Sequence, residues 1–333
     1  MAEHHSIPLI DEGDQAPFSK GLMAQTLMST GLAPERAYNI AAAVERRLRR
    51  RGPAALTLAD LQEIARDQLG PEKGDILIER FRQWQKLRRL ETPLIILIGG
   101  ATGVGKSTLA TQLAHRLGIT RLIGTDMVRQ TMRAFFAPEL MPAIHTSSFD
   151  AASAVRVPVP RETDLSKMGF IEQSKAVSVG IEALVQRGID EAQRMVVEGV
   201  HLVPGYLDRS RWGEAIVLEF MLAITDKERH RGNFTVREWE SGGIRPLRRY
   251  LEHFAEIRRI QKYMVGRAQA LGVPVIDGPS LDDNLSEVLG MILRRVEEER
   301  ADAPGRTDAP PASADVPPAE ADAPPRQTGE TPV

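Results

Sequence analysis

The residues best suited to chemistry in this 333-residue sequence form a glycine-rich run that starts at position 100. The run, GATGVGKS, fits the pattern G-x-x-x-x-G-K-[ST], and it lies between an apolar segment and a segment with helical periodicity. Glycine lets the backbone wrap closely around phosphate oxygens, and the first turn of a helix adds positive potential. The pattern predicts that ATP binds to Gly100, Ala101, Thr102, Gly103, Val104, Gly105, Lys106, Ser107 and Thr108.

A second apolar segment ends in a carboxylate, at Glu198 in MVVEGVH. Lys106 would reach the β- and γ-phosphates as a catalytic cation, while the Ser107 hydroxyl would bind Mg²⁺. Carboxylate oxygens suit the same ion, so we expect Glu198 to hold the metal through water and to face the substrate. His201 has two open interpretations, as a substrate contact or as a structural hydrogen-bonding residue.

A carboxylate and two arginines follow another strand candidate, in IGTDMVRQTMR. If a helix starts at Asp126, then Arg129 and Arg133 lie three and seven residues later on the same helix face. Arginine binds phosphate and carboxylate groups well, so both arginines are candidate substrate ligands. Asp126 and Arg129 are also candidate catalytic residues; Asp126 would deprotonate an acceptor hydroxyl or help to hold the metal. The alternative is an N-capping aspartate before a solvated basic face.

Many arginines follow the apolar segment EFMLAIT. A helical flap in this position could bring arginines to the transferred phosphoryl group, although a charged exposed helix would have the same composition. We select Arg231 as a nucleotide ligand. The other candidates are Arg229, Arg237, Arg245, Arg248 and Arg249.

Composition excludes several classes of protein. The chain has no cysteine, which removes disulfide scaffolds, thiol nucleophiles and Cys-ligated metal sites. It has 43 basic and 45 acidic residues, so general binding to nucleic acid or an anionic membrane is not expected. No run approaches the about 18 apolar residues of a membrane helix. The N-terminus does not resemble a signal peptide, and we expect a cytoplasmic protein.

Short apolar segments alternate with helical patterns after residue 93, as in an α/β fold with a parallel sheet covered by helices on both faces. The strand candidates are 94–98, 121–125, 194–198, 217–224 and 274–277. Helices are expected to begin near Lys106, Asp126, Ser174, Asp226 and Pro246.

Three regions are predicted. Residues 1–90 form a small helical module, in which Pro34 starts the second helix, Thr57 caps the third, and Gly74 interrupts the chain before a fourth helix over 76–90. Residues 91–300 form the nucleotide-binding domain. Residues 301–333 hold eight prolines and few large apolar side chains, which is typical of a disordered tail. The arginine-rich end of the second helix, 46–51, is interpreted as a basic C-terminus that the helix dipole favours.

The combination of GTDMVRQTMR, MPAIHTSSFDA and VVEGVHLVPG with the phosphate-binding loop resembles 2-phosphoglycerate kinases over about residues 93–280. The N-terminal segment PFSKGLMAQTLMSTGLAPERAYNIA resembles the helical part of an ATP-cone, a regulatory nucleotide-binding module. The resemblance implies a P-loop kinase that phosphorylates 2-phosphoglycerate, or a similar small phosphorylated hydroxy acid, with ATP and Mg²⁺. It places His145 and the neighbouring serines in the acceptor pocket.

Two other functions stay open. A kinase of the same fold could act on a nucleotide sugar or on a polynucleotide 5′-hydroxyl, with the arginine run as its best support. A non-enzymatic ATP sensor could use the N-terminal helices as its output. The absence of an Asn-Lys-x-Asp motif argues against a regulatory GTPase. The sequence leaves the oligomeric state open.

Overall fold

A computed structural model describes residues 18–51, 57–88, 90, 92–156, 158, 160, 162–213, 215–240, 242, 244 and 246–302. In this part of the chain five parallel strands form one sheet in the order β2-β3-β1-β4-β5. The strands are β1 Leu94–Gly99, β2 Arg121–Gly124, β3 Arg194–Gly199, β4 Ile216–Leu222 and β5 Val275–Ile276. The predicted parallel α/β fold is confirmed, with each strand within two residues of its predicted bounds.

Eleven α-helices accompany the sheet in the described residues. Four precede it: α1 Lys20–Ser29, α2 Pro34–Arg51, α3 Leu58–Leu69 and α4 Pro71–Arg88. The others are α5 Lys106–Leu117, α6 Thr125–Phe135, α7 Leu165–Asp190, α8 Lys227–Glu240, α9 Leu247–Glu252, α10 Phe254–Ala270 and α11 Leu281–Asp302. None of these helices combines the length and the apolar character needed to cross a membrane.

Alternate residues of the central strand β1 face opposite sides of the sheet, as the two-residue period of a strand requires. Leu94, Ile96 and Ile98 pack in a core with apolar residues of α5, α10 and α11. Ile95 and Leu97 pack on the other side with residues of α6 and α7. All five side chains are fully buried, so helices cover both faces of the sheet as predicted.

The N-terminal helices form a core of their own, with Leu27, Ile40, Leu61 and Phe81 fully or almost fully buried. The predicted Thr57 cap is present: its hydroxyl accepts a hydrogen bond from the amide of Asp60, whose side chain accepts one from the amide of Thr57. This reciprocal capping box satisfies two otherwise unpaired amide groups at the helix start.

The prediction that Gly74 interrupts the helical pattern is wrong, because α4 begins at Pro71 and continues through Gly74. A Cβ atom at position 74 would lie 2.7 Å from the backbone of Arg66. The glycine therefore lets α4 pack closely against α3 instead of ending a helix.

This helical module docks on two helices of the sheet domain. Arg116, in the last turn of α5, is buried and donates to the Met28 carbonyl and to Asp282 at 3.4 Å each. From α4, Arg80 donates to the Ser286 hydroxyl at 2.9 Å, and Leu87 packs in the core beneath the sheet. The helix that begins at the glycine-rich loop therefore ends against the N-terminal module.

Two helix predictions need correction, and one helix was missed. Helix α7 begins at Leu165 instead of Ser174, with Asp164 as its N-cap; Gly169 lies against the Ala151 backbone and lets the early turns pack closely. The helix expected after Pro246 is two helices, α9 and α10, which meet at His253. Helix α11 follows β5 and was not predicted.

Some sequence predictions concern residues outside the described part of the chain. These are Arg245 and the proposed tail from residue 303 onward. Helix α11 reaches Asp302, so it includes the first two residues of the predicted tail.

Candidate active site

The glycine-rich loop connects β1 to α5 at the carboxyl end of the sheet, where ligands of open α/β sheets bind. Gly103 and Gly105 both have left-handed backbone conformations, with φ of 86° and 89°. A Cβ atom at position 103 would lie 2.4 Å from the ring of Phe234 on α8. Glycine is therefore required at position 103 by both conformation and space.

Lys106 begins α5 and is buried inside the loop. Its Nζ atom donates to the Ala101 carbonyl at 2.9 Å. Burial lowers the pKa of this ammonium group, and the nearby charge of Glu198 opposes that effect. A buried cation with one carbonyl partner is well placed to bind an anion that enters the loop.

Ser107 lies beside the end of β3. Its hydroxyl donates to Glu198 Oε1 at 2.9 Å, so the two expected metal ligands are in contact. The registers of β1 and β3 explain this position, because Gly99 lies opposite Gly199 and Glu198 precedes it. Both groups are hard oxygen donors, and this donor set fits Mg²⁺.

Asp126 lies in the first turn of α6 and faces the same cleft, with 70% of its side chain exposed. Partial loss of surrounding water in the cleft acts to raise the pKa of its carboxyl group, but His201, Arg129 and Lys106 outweigh that effect and the pKa is lowered. The group is therefore ionised at neutral pH and can accept a proton or a hydrogen bond.

Arg129 lies one turn after Asp126 on α6 and makes two sets of contacts. Its Nη1 atom donates to the carbonyls of Ile144 and Thr146 at 3.0 and 2.9 Å, and its other nitrogens lie 3.3 and 3.4 Å from Asp126 Oδ1. Only 15% of the side chain is exposed. Arg129 therefore fixes the segment around residues 144–146 while it lines the cleft.

Two cavities meet at this wall. One, of about 610 Å³, contains the loop with Lys106, Ser107, Asp126 and Glu198. The other, of about 490 Å³, is lined by Arg129, Arg133, His145, Thr146, Ser147, Asp150, Ser153 and Arg249. Arg129, Ser147 and Arg249 line both, so a cationic chamber adjoins the phosphate loop. The structure thus brings the predicted substrate ligands Arg133 and His145 to the second cavity.

His201 is not at the cleft surface. It is fully buried, with Nδ1 2.8 Å from the Thr125 hydroxyl and Nε2 3.1 Å from Gln173 Oε1. Burial lowers its pKa to about 4, so the imidazole is neutral at pH 7. Of the two interpretations, the structural one fits this position, because the residue has no exposed surface and both ring nitrogens have partners inside the protein.

Helix α8 holds the glycine-rich loop from outside. His230 lies 2.8 Å from the Thr102 carbonyl through Nε2, and Asn233 donates to the Gly103 carbonyl at 2.8 Å. The His230 ring stacks on Phe234 at 5.4 Å. Sequence reasoning missed these contacts; a polar pair three residues apart beside an apolar Phe234 was the available signal.

The arginines that were predicted to lie on a flap differ in whether they line the larger cavity. Arg229, Arg237 and Arg249 line the larger cavity. Arg231, the predicted nucleotide ligand, does not: it pairs with Glu228 at 2.7 Å, and its guanidinium lies over the ring of Phe254. Arg248 pairs with Glu252 and is mostly exposed.

Arg249, one of several candidate arginines in the sequence, contacts residues that line the second cavity. Its Nη2 atom donates to the Ser147 hydroxyl at 2.9 Å and to Asp150 at 3.0 Å, and its guanidinium lies over the Phe149 ring. Asp150 is also 3.1 Å from His253 Nε2. Helix α9, which carries Arg249, is thus joined to the wall of the second cavity.

Several known proteins are similar to this chain in sequence. No family model matches the chain. The 2-phosphoglycerate kinase of Methanothermobacter thermautotrophicus is 38% identical over 278 residues, which cover 84% of this chain and 90% of that protein. The 2-phosphoglycerate kinase of Pyrococcus horikoshii is 36% identical over 294 residues, covering 88% and 95%. A solved shikimate kinase from Acinetobacter baumannii in complex with shikimate aligns with a TM-score of 0.38 and 16% identity, over 62% of this chain and 97% of that one.

Proposed function

The chain belongs to the 2-phosphoglycerate kinase family, and on this premise we propose that it transfers the γ-phosphoryl group of ATP to the 3-hydroxyl of 2-phosphoglycerate. The oxygen of that hydroxyl forms the new bond to phosphorus, and the bond from phosphorus to the β,γ-bridging oxygen breaks. The hydroxyl proton passes to the protein or to water. The products are 2,3-bisphosphoglycerate and ADP.

The observation that carries the proposal is the junction of the two cavities. The phosphate loop and Asp126 lie in one, the other is lined by three arginines, and Arg129 and Arg249 belong to both. An acceptor with a phosphate and a carboxylate needs such cationic surroundings, whereas its hydroxyl must approach the transferred phosphoryl group. A site of this shape can bind the anionic groups of the acceptor and, at the same time, bring its hydroxyl to the transferred phosphoryl group.

The residues have the following proposed roles. Lys106 binds the β- and γ-phosphates and stabilises the charge of the transferred group. Asp126 orients the acceptor hydroxyl and takes its proton, which its lowered pKa permits at neutral pH. Arg133, His145 and Arg249 bind the anionic groups of the acceptor. Arg129 both supports this wall and adds positive charge.

Mg²⁺ fits the pair of Ser107 and Glu198, whose oxygen atoms already lie 2.9 Å apart. When bound, the ion neutralises phosphate charge and polarises the transferred group. Among the described residues no three His, Asp or Glu side chains form a cluster for a metal. The phosphates and water would therefore supply the remaining ligands, as is usual for this ion.

The test is ADP release by the purified protein with ATP, Mg²⁺ and a panel of phosphorylated hydroxy acids. We expect 2-phosphoglycerate to raise ADP release far above the rate without acceptor, and phosphorus NMR to show a bisphosphate product. If 2-phosphoglycerate has no effect while a UDP-sugar or a 5′-hydroxyl oligonucleotide is phosphorylated, the acceptor assignment is wrong. Nucleotide binding without any turnover would support the sensor instead.

A further inference from the structure

Gln173 of α7 was not among the predicted functional residues, yet it is fully buried and bonded at both ends. Its Nε2 atom donates to the Ala143 carbonyl at 2.6 Å and to the Thr146 carbonyl at 3.0 Å. Thr146 lines the second cavity, and Ala143 lies two residues before His145, which lines it as well. Gln173 therefore supports this segment from the buried side, away from the cavity.

The other end of the amide continues inward. Gln173 Oε1 lies 3.1 Å from His201 Nε2, and His201 Nδ1 lies 2.8 Å from the Thr125 hydroxyl. Thr125 directly precedes Asp126, and all three connected side chains are fully buried. A continuous chain of hydrogen bonds thus runs from the start of α6 to the wall of the acceptor cavity.

Donor and acceptor rules fix the direction of this chain. Backbone carbonyls only accept, so the amide nitrogen of Gln173 must face them and its oxygen must face His201. The imidazole must then carry its proton on Nε2. Because the ring is neutral, Nδ1 is an acceptor, and the Thr125 hydroxyl donates to it. Only one arrangement of donors and acceptors gives every one of these buried groups a partner, so this series of hydrogen bonds is a rigid support.

Close packing around Thr125 reinforces the arrangement. A Cβ atom at Gly199 would lie 1.8 Å from the Thr125 hydroxyl oxygen. The end of β3, which also carries Glu198, therefore packs directly against Thr125. Arg129 adds a second support, since it donates to the Thr146 carbonyl that Gln173 also binds.

We propose that Gln173, His201 and Thr125 are positioning residues that hold the acceptor-cavity wall, residues 142–147, in register with Asp126. None of them touches the acceptor; they act through the wall and through the first turn of α6. This inference rests on the proposed function for its kinetic consequence. Its structural consequence, order in residues 142–147, can be measured without turnover.

The experiment uses two pairs of variants of the full chain. Gln173→Met keeps the shape of the side chain and removes its hydrogen bonds, with Gln269→Met at an exposed site of α10 as the control. Thr125→Val removes only the hydroxyl, and Thr125→Ser restores it. Hydrogen-exchange mass spectrometry follows peptides over residues 142–148 and over the phosphate loop, and thermal unfolding checks that each variant is folded.

We expect Gln173→Met and Thr125→Val to speed amide exchange in residues 142–148 and to raise the KM for 2-phosphoglycerate about tenfold or more. The Kd of a non-hydrolysable ATP analogue should not change, and Thr125→Ser and Gln269→Met should behave as the unaltered protein. Unchanged exchange in residues 142–148 overturns the proposal, as does an equal loss of acceptor and nucleotide affinity. If the unaltered protein does not phosphorylate 2-phosphoglycerate, the proposed function fails and the exchange data alone decide this inference.

Discussion

The Ser107 hydroxyl donates to Glu198 Oε1 at 2.9 Å, and this contact joins the first turn of α5 to the end of β3. Two residues 91 positions apart are thereby placed where one cation could contact both. The contact depends on the parallel pairing of β1 with β3, which brings the ends of both strands to the same edge of the sheet.

Glu198→Gln keeps an oxygen for the Ser107 hydroxyl and removes the negative charge. We expect the Mg²⁺ concentration for half-maximal activity to rise about tenfold or more, because the ion loses a carboxylate close to its position. A Mg²⁺ titration of initial rates measures this, with Glu72→Gln on the exposed face of α4 as the control. An unaltered Mg²⁺ requirement would remove Glu198 from the metal site.

Lys106→Ala should lower kcat by about three orders of magnitude, because the transferred phosphoryl group loses its buried cation. The measurement is steady-state kinetics at saturating ATP, alongside the thermal unfolding midpoint. Lys262→Ala, at an exposed position of α10, is the matched control. Near-normal turnover in Lys106→Ala would show that this loop is not the catalytic one.

Asp126→Asn preserves the size of the side chain and removes the proposed base. We expect kcat to fall about 10²- to 10⁴-fold while the Kd of an ATP analogue stays the same. Because the pKa of Asp126 is lowered, the base should stay active on the acidic side until the pH falls below about 4, the ordinary aspartate value. A loss of nucleotide affinity without a change in kcat would assign Asp126 to the metal instead.

Arg249→Met and Arg231→Met separate the structural assignment from the sequence prediction. Arg249 lines both cavities, so its loss should raise the KM for 2-phosphoglycerate about 10- to 100-fold, as expected for charge-assisted hydrogen bonds. Arg231 pairs with Glu228 outside the cleft, so its loss should leave both KM values unchanged. The reverse result would restore Arg231 as a ligand and exclude Arg249.

The pH dependence of stability tests the buried state of His201. Its pKa is about 4 in the folded protein, against 6.5 without burial. The unfolded chain therefore binds a proton first as the pH falls, and this residue lowers the free energy of unfolding by about 3 kcal/mol between pH 6.5 and pH 4. The contribution is complete above pH 6.5 and declines toward pH 4.

Chemical unfolding of the unaltered protein and of His201→Asn over this pH range measures that contribution. The variant should be less stable at pH 7, and the difference between the two proteins should shrink as the pH falls. A difference that is constant with pH would mean that His201 titrates normally, and that its ring is not sealed from solvent.

The sequence predicted the sheet and the phosphate loop because these depend on local patterns. Apolar runs end in glycine or a carboxylate, and the spacing of Lys106 and Ser107 is contained within one loop and one helix turn. The placement of Glu198 beside Ser107 could also be anticipated, since parallel strands bring their carboxyl ends together.

The remaining features depend on contacts between distant segments. Nothing near Gln173 in the sequence shows that its amide meets two carbonyls some 30 residues away, and Arg231 and Arg249 look equivalent until the path of α8 and α9 is known. Gly74 illustrates the same limit in the opposite direction, because glycine in a helix can serve close packing as well as interruption.

The docking of the N-terminal module on the far end of α5 has a thermodynamic consequence. Arg116 joins the last turn of this helix to the Met28 carbonyl, and the first turn of the same helix carries Lys106. Any factor by which release of the module alters ATP affinity must equal the factor by which ATP alters release of the module. Measuring how far ATP shifts the release of the module in the intact chain therefore also gives the factor by which release of the module shifts ATP affinity.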